Sequence, residues 1–375
     1  MELKLVMKRI TPINKSINNC NRRNAGSYKK TVNNNKRYDF KIKFNSSFVN
    51  NPQRIINNVK QCNSITCITH LYPVNENKIV FCSSALALEQ YKKKYPHTIF
   101  VYSLCLNKVV NSFVFHTFPI TKVIQLESNR NYIVTASQDK LIAVHDIIQN
   151  IKGIYILKGH KGCVNDIKEL PHLNELISCS TDKSLRIWSL TSYTCIRMII
   201  EYNNISSIAY SSKHKCIICS VVEKGISFYD EQLSNKQSLS LIDIDSQPSS
   251  LSSLALNTST SNILIHNDHI FIGTNTLFII NIQTKHIDHI EYPTTLLHEP
   301  INTSTIRFIY NLPHDDTILT ITSNGVITIW DYTTKSLLLL MHHPSITNIL
   351  SSTYNSYFNN NNLLLSSNSS IYKLI

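Results

Sequence analysis

A unit of roughly 40–45 residues recurs along most of this chain, and a repeat of that kind restricts the fold more than composition does. The clearest copy is Leu157–Leu190. Gly159-His160 precedes a short alternating run, Cys163–Leu170, and a turn at Pro171-His172-Leu173-Asn174 leads into a second run, Glu175–Ser180. Thr181-Asp182-Lys183 then turns the chain into a third run, Leu185–Leu190, which carries Trp188. Three such runs bounded by turn residues within about thirty positions describe an antiparallel meander. Tyr102, His145, Tyr229, Ile280, Trp330 and Tyr372 stand at Trp188's place in the other copies, and the successive steps from Tyr102 are 43, 43, 41, 51, 50 and 42 residues. The two long steps contain polar insertions, residues 243–262 and 294–303.

Most copies also have a run before and a run after the anchored one, as Ile133–Ala136 and Gly153–Leu157 flank that of His145. Four strands per unit at this period predict a blade. Seven units predict an all-β chain: a seven-bladed β-propeller of four-stranded antiparallel blades over residues 38–375. The last unit reaches Ile375 directly after its third strand, so its outer place is open. Tyr38–Phe44 alternates, with Phe40, Ile42 and Phe44 on one face. It is the unassigned strand expected to fill that place and close the ring, which removes an open edge.

Charge divides the chain in two. Residues 1–60 hold 14 Lys and Arg against Glu2 and Asp39, which accounts for +12 of the net +13. The body is near neutral. Residues 1–37 read as a disordered, basic, Asn-rich tail. Many of the ten cysteines, among them Cys67, Cys82, Cys105, Cys179 and Cys195, lie within apolar runs as small core residues do. Their spacing shows no disulfide framework and the start has no secretory apolar region, so a reducing compartment is expected, cytoplasmic or nuclear. Mitochondrial import stays open because Glu2 is the one acidic residue before Asp39. No apolar run approaches the ~20 residues of a spanning helix, so membrane insertion is not expected.

Gly159-His160, Asp182 and Trp188 six residues later resemble the WD-repeat β-propeller family. The resemblance covers residues 38–375, with the full residue set in the third blade. The second blade has His116, Thr135, Ser137, Asp139 and His145, and the sixth has Asn324 six before Trp330-Asp331. The fourth has Glu223 six before Tyr229-Asp230. The family joins the strands of a blade through a buried hydrogen-bonded set, which here implies His160, Asp182, Trp188 and either Ser178 or Ser180. Only seven Gly are present, so many turns must form without it.

Assembled chemistry is sparse. Cys216 and Cys219 have redox or zinc spacing, but residues three apart on a strand face opposite ways and no second pair accompanies them. The same objection meets His266 with His269 and His286 with His289, so no metal and no cofactor is expected. No Gly-x-Ser-x-Gly and no phosphate-cradling Gly loop occurs. Asp139, Asp146, Asp182, Asp230 and Asp331 recur at turn or strand-end positions, and recurrence across repeats argues for a structural role. Non-catalytic scaffolding in a multi-protein complex is therefore the leading expectation. Two segments are candidate partner contacts: Tyr91 with Lys92, Lys93 and Lys94 in the Ser84–His97 loop, and Arg22, Arg23, Lys29, Lys30, Lys36 and Arg37 in the tail. The tail suits nucleic-acid phosphates, which makes an RNA- or ribonucleoprotein-associated factor the alternative.

Overall fold

In the computed structural model the chain forms seven four-stranded antiparallel sheets, arranged as the blades of a β-propeller. The structure describes residues 53–56, 64–72, 78–84, 87–88, 93–94, 97–149, 151–222, 225–234, 236–239, 263–274, 276–290, 305–312, 316–342, 349–355, 362–367 and 370–374. Blades 1 to 6 span residues 65–114, 120–157, 164–200, 205–239, 263–290 and 306–342, and each runs from its innermost to its outermost strand in chain order. Blade 7 comprises Ile349–Asn355, Asn362–Ser367 and Ser370–Leu374, with Gln53–Ile56 as its outer strand. The innermost strand of each blade neighbours that of the next, and that of blade 7 returns to blade 1.

The sequence expectation and the structure differ over which segment closes the ring. The outer place of blade 7 is taken by Gln53–Ile56, paired antiparallel with Ser370–Leu374 in the register Gln53↔Lys373 and Arg54↔Tyr372. Tyr38–Phe44 lies outside the described residues. Its alternation is the stronger local signal, but the closing strand is chosen by a tertiary demand. It must cover a vacant edge and then lead directly to Ile65, where blade 1 begins. The loop Ser84–His97 contains a small hairpin, Ala87–Leu88 with Lys93–Lys94, between the second and third strands of blade 1.

The core is divided among seven apolar clusters, one at each junction between neighbouring blades. Middle strands are buried on both faces. In blade 3, Leu176 and Trp188 pack toward blade 2, while Ile177, Cys179, Leu185 and Ile187 pack toward blade 4. Two-sided burial explains why these strands read as near-continuous apolar rows.

Six innermost strands carry a bulge one residue after their start, at Thr66, Thr121, Asn165, Ser206, Arg307 and Leu350. The extra residue is unpaired in its own ladder, and a bulge of this kind can re-aim a side chain. At three of the six the side chain reaches the next blade. Thr121 Oγ1 donates to Val164 O at 2.6 Å, Asn165 Nδ2 to Ile205 O at 2.7 Å and Arg307 Nη1 to Ile349 O at 3.2 Å. Each acceptor begins the next blade, so these bonds stitch the ring around its inner wall.

Turns use left-handed residues other than Gly, as the composition requires. Lys140 and Lys183 follow Asp139 and Asp182 with φ of 74° and 67°, where blade 6 places Gly325 after Asn324. If Gln53–Ile56 closes the ring, removing residues 1–56 lowers the thermal midpoint by at least about 5 °C, and removing 1–37 leaves it unchanged. Equal midpoints for the two truncations would refute this closure.

Candidate functional site

The residues that look most chemical in the sequence meet in blade 3. Trp188 lies on its third strand, Ser184–Ser189, and Ser178 on the second, Glu175–Ser180. Trp188 Nε1 donates to Ser178 Oγ at 2.8 Å, and Ser178 Oγ lies 2.7 Å from His160 Nε2. His160 Nδ1 lies 3.1 Å from Asp182 Oδ2. The indole has a hydrogen to give and none to take, which fixes the direction of the chain. Ser178 accepts from Trp188 and donates to His160 Nε2, and His160 donates from Nδ1 to Asp182. The choice that sequence left open falls on Ser178. Ser180 Oγ instead accepts the Asp182 N–H at 3.1 Å.

Asp182 is held from several sides. It accepts the Lys161 N–H at 2.7 Å, the Ser184 N–H at 2.9 Å and the Ser184 hydroxyl at 2.5 Å. Burial pushes its carboxyl up, but the Ser184 and Lys161 hydrogen bonds and His160 overrule this and hold it well below the usual carboxylate range. Burial pulls His160 down to about 4 against the attraction of Asp182, so the ring is neutral at pH 7. Gly159 lets its chain pass close over the indole: a Cβ there would lie 2.8 Å from Arg186 Nη1 and 3.2 Å from the Trp188 ring.

Blade 2 builds the same device from different residues. Gly153 N–H donates to His145 Nδ1 at 2.9 Å, leaving the Nε2 hydrogen to reach Thr135 Oγ1 at 2.8 Å. The Thr135 hydroxyl then donates to His116 Nε2 at 2.8 Å, and His116 Nδ1 to Asp139 Oδ2 at 2.8 Å. His145, fully buried, replaces the tryptophan and takes its hydrogen from the next strand over. Burial first, and the neighbouring His116 second, pull it down to about 3.

The other blades keep fragments. Trp330 Nε1 donates to Thr328 Oγ1 at 2.7 Å, and Thr328 contacts Thr320 Oγ1 at 2.6 Å. Asn324 Oδ1 accepts from Thr322 Oγ1 at 2.5 Å. Tyr229 donates to the buried carboxylate of Glu201, which its sequence position at the end of an apolar run did not reveal. Glu223 lies outside the described residues. Asp146, Asp230 and Asp331 accept backbone N–H groups of the turn that follows each: Ile148 and Gln149 at 2.8 Å, Gln232 at 3.1 Å and Ser234 at 2.8 Å, and Thr333 and Thr334 at 3.0 Å. Ser103, Ser189 and Asn281 do the same in blades 1, 3 and 5.

Cys219 packs in the junction of blades 3 and 4 and Cys216 in that of blades 4 and 5, opposite faces of one sheet. His266 and His269 differ from expectation. They do not diverge along one strand but stand directly opposite each other across the tight turn Asn267-Asp268, and both rings lie beside Tyr332. His269 and His286 line a cleft of about 420 Å³ with Ile279, Asn281, Thr284 and Asp288. Among the described residues, no three His, Cys, Asp or Glu gather as metal ligands. Lys93 and Lys94 lie in the blade 1 hairpin. Tyr91, Lys92 and the tail residues Arg22, Arg23, Lys29, Lys30, Lys36 and Arg37 lie outside the described residues.

The family model described as WD domain, G-beta repeat matches residues 151–189, from the outer strand of blade 2 through Trp188. The propeller thus carries a WD repeat, and the chain is similar to WD-repeat proteins. Its similar proteins include the WD repeat-containing protein 89 homolog of Dictyostelium discoideum, 33% identical over 86 residues, 23% of this chain and 24% of that one. Cell division control protein 4 of Saccharomyces cerevisiae is 33% identical over 105 residues, 25% of this chain and 13% of the relative. Elongator complex protein 2 of the same yeast is 31% identical over 110 residues, 28% and 14%. The matches thus span a quarter or less of each of these relatives.

Ser178→Ala and Asp182→Ala each cost about 1–3 kcal/mol by leaving buried donors unpaired, and Ser180→Ala costs less, since its bond lies at a turn. Chemical denaturation measures all three, and an equal loss for Ser180→Ala would contradict the geometry. Acid gives a second outcome. Both histidines have folded values below the unfolded 6.5, at about 3 for His145 and about 4 for His160. The unfolded chain therefore binds protons that the fold refuses. Stability is full above pH 6.5 and falls as pH drops from there, toward about 4 for the share of His160 and about 3 for that of His145. His145→Phe flattens that slope in thermal melts, and an unchanged slope would rule out His145 as a contributor.

Proposed function

We propose that this WD-repeat propeller is a non-catalytic scaffold or adaptor that holds other proteins in a multi-protein complex. One observation carries the reading: the polar clusters of blades 2 and 3 are closed on themselves. Each donor meets an acceptor inside the blade, so neither cluster presents a nucleophile, a base or a metal cradle to a substrate. What the fold offers instead is a rigid ring whose loops converge on two faces. That Elongator complex protein 2 is named for a complex fits the same reading. Its place is the cytoplasm or the nucleus. Among the described residues no helix is long and apolar enough to cross a membrane.

A second reading rests on residues 1–60 and their 14 basic against 2 acidic residues. Such a segment suits RNA phosphates, and the chain would then serve a ribonucleoprotein through residues 1–37. Affinity purification from the native source, with the full chain and with 1–37 removed, separates the two. Scaffolding predicts protein partners in near-stoichiometric amount with both forms, resistant to nuclease. Partners lost on nuclease treatment and on removal of 1–37 would replace it with the RNA reading.

A further inference from the structure

The outer strand of blade 3, Cys195–Ile200, is built unlike a protected edge. Strands at sheet edges normally carry Lys, Pro or a covering segment that blocks pairing with another chain. Here the exposed positions alternate as Ile196, Met198 and Ile200, at 43%, 47% and 69% accessibility, and Tyr202 follows at 78%. The one charged residue, Arg197, faces the other way and is held by Glu175 at 2.5 Å and Gln232 at 2.8 Å. One backbone edge of the strand is bonded to Ser184–Ser189, and among the described residues no strand lies along the other. The outer strands of blades 4 and 5, Lys236–Leu239 and Ile287–Ile290, include polar or charged residues, and those of blades 1, 2 and 6 expose at most two large aliphatic side chains each, Val109 with Val110, Ile151 with Ile156, and Leu338.

Cations collect at the Ile200 end. Lys183 Nζ reaches Tyr202 O at 3.1 Å. Arg186 lies opposite Met198 in the ladder, and its guanidinium sits beneath the Gly159 turn. Exposed Lys158 and Lys161 flank that turn. The carboxylates nearby are engaged inward: Asp182 by His160, Ser184 and Lys161, and Glu201 by Tyr229.

We propose that Cys195–Ile200 is a docking edge for an extended, acidic, alternately apolar segment of a partner protein, which adds to blade 3 as a fifth strand. Main-chain hydrogen bonds to the free edge supply affinity. Ile196, Met198 and Ile200 select apolar residues at every second position, and the four cations select carboxylates toward one end. Charge decides between occupants. The chain's own leading segment is strongly basic and is repelled. A second copy brings no carboxylate, because Cys195–Ile200 contains none. The inference rests on the scaffold reading only in taking a protein as the partner. Its failure leaves the purification test of that reading untouched.

The test uses the full chain and a short fluorescein-labelled peptide of alternating Glu and Val, followed by fluorescence anisotropy. Two further peptides serve as comparisons, one with Lys for Glu and one with Pro at a central position. The acidic peptide binds and weakens with salt, and the other two do not bind. Ile200→Glu, on an exposed side chain, weakens binding by about tenfold or more with the melting curve unchanged, and Lys183→Glu, which keeps the apolar stripe, acts in the same direction. The proposal is overturned by absence of binding, by equal binding of the Lys or Pro peptide, or by indifference to both substitutions. It is also overturned if light scattering finds a dimer that Ile200→Glu dissolves, because the second copy is then the occupant.

Discussion

No blade of this protein buries its own core. The middle strands of blade 3 send Leu176 and Trp188 to one neighbour and Ile177 and Ile187 to the other, so half of each blade's apolar surface is covered only when the next blade is in place. Each face so covered contributes roughly 25 cal/mol per Å² of the apolar area it buries. The constraint propagates round the ring. Blade 7 covers blade 1 through Leu364 and Ile371 against Ile65 and Phe81, and the return of the chain through Gln53–Ile56 ties its outer edge. The inner-wall bonds from Thr121, Asn165 and Arg307 act on the same junctions. They satisfy carbonyls at strand starts, where the bulges leave the ladder irregular.

Polar groups enter this apolar ring on one condition: a buried network must be complete, since a half-satisfied one costs more than an apolar replacement. Blades 2 and 3 meet it with linear chains that end on an aspartate at the turn. In blade 3 the chain starts from an indole N–H. In blade 2 it starts from the backbone N–H of Gly153, which lets a histidine stand where a tryptophan stands elsewhere. The order of donors is preserved although the residues change. Where no such chain is built, as at Ile280 in blade 5, the position is apolar and joins the junction core.

The repeat was legible because its signal is long-range. The spacing of aromatic or apolar anchors survives substitution of Trp188's equivalents by His145 or Ile280, and it locates seven units. The Ser178 and Ser180 ambiguity was not resolvable, because both alternate to the same strand face and only the height of the imidazole decides. Gln53–Ile56 was missed for the opposite reason. Four residues carry little periodicity, and Tyr38–Phe44 carries more, yet edge coverage is settled by chain geometry. The His266–His269 pairing was misjudged because spacing alone does not tell a continuous strand from a two-residue turn, and Asn267-Asp268 is such a turn. Glu201 gave no signal, since its partner Tyr229 is remote in sequence and belongs to the next blade.

His160, Asp182, His116 and Asp139 have the residue types of catalysis, but each is committed to holding strands together, and loosening one would cost the blade its packing. Blade 3 is the most fully fastened unit, with an indole, two hydroxyls, an imidazole and a carboxylate in one network. Its outer strand is at the same time a poorly guarded edge, with three exposed aliphatic side chains and no charge on that face. A rigid sheet can leave an edge open with less risk than a loose one, because the strand is held in register from inside and does not slip toward pairings of its own. An edge presented in a fixed register is also what a partner strand requires if side-chain pockets are to be read at every second position. The internal fasteners of this blade therefore bear on binding without touching a ligand, by holding Ile196, Met198 and Ile200 in line.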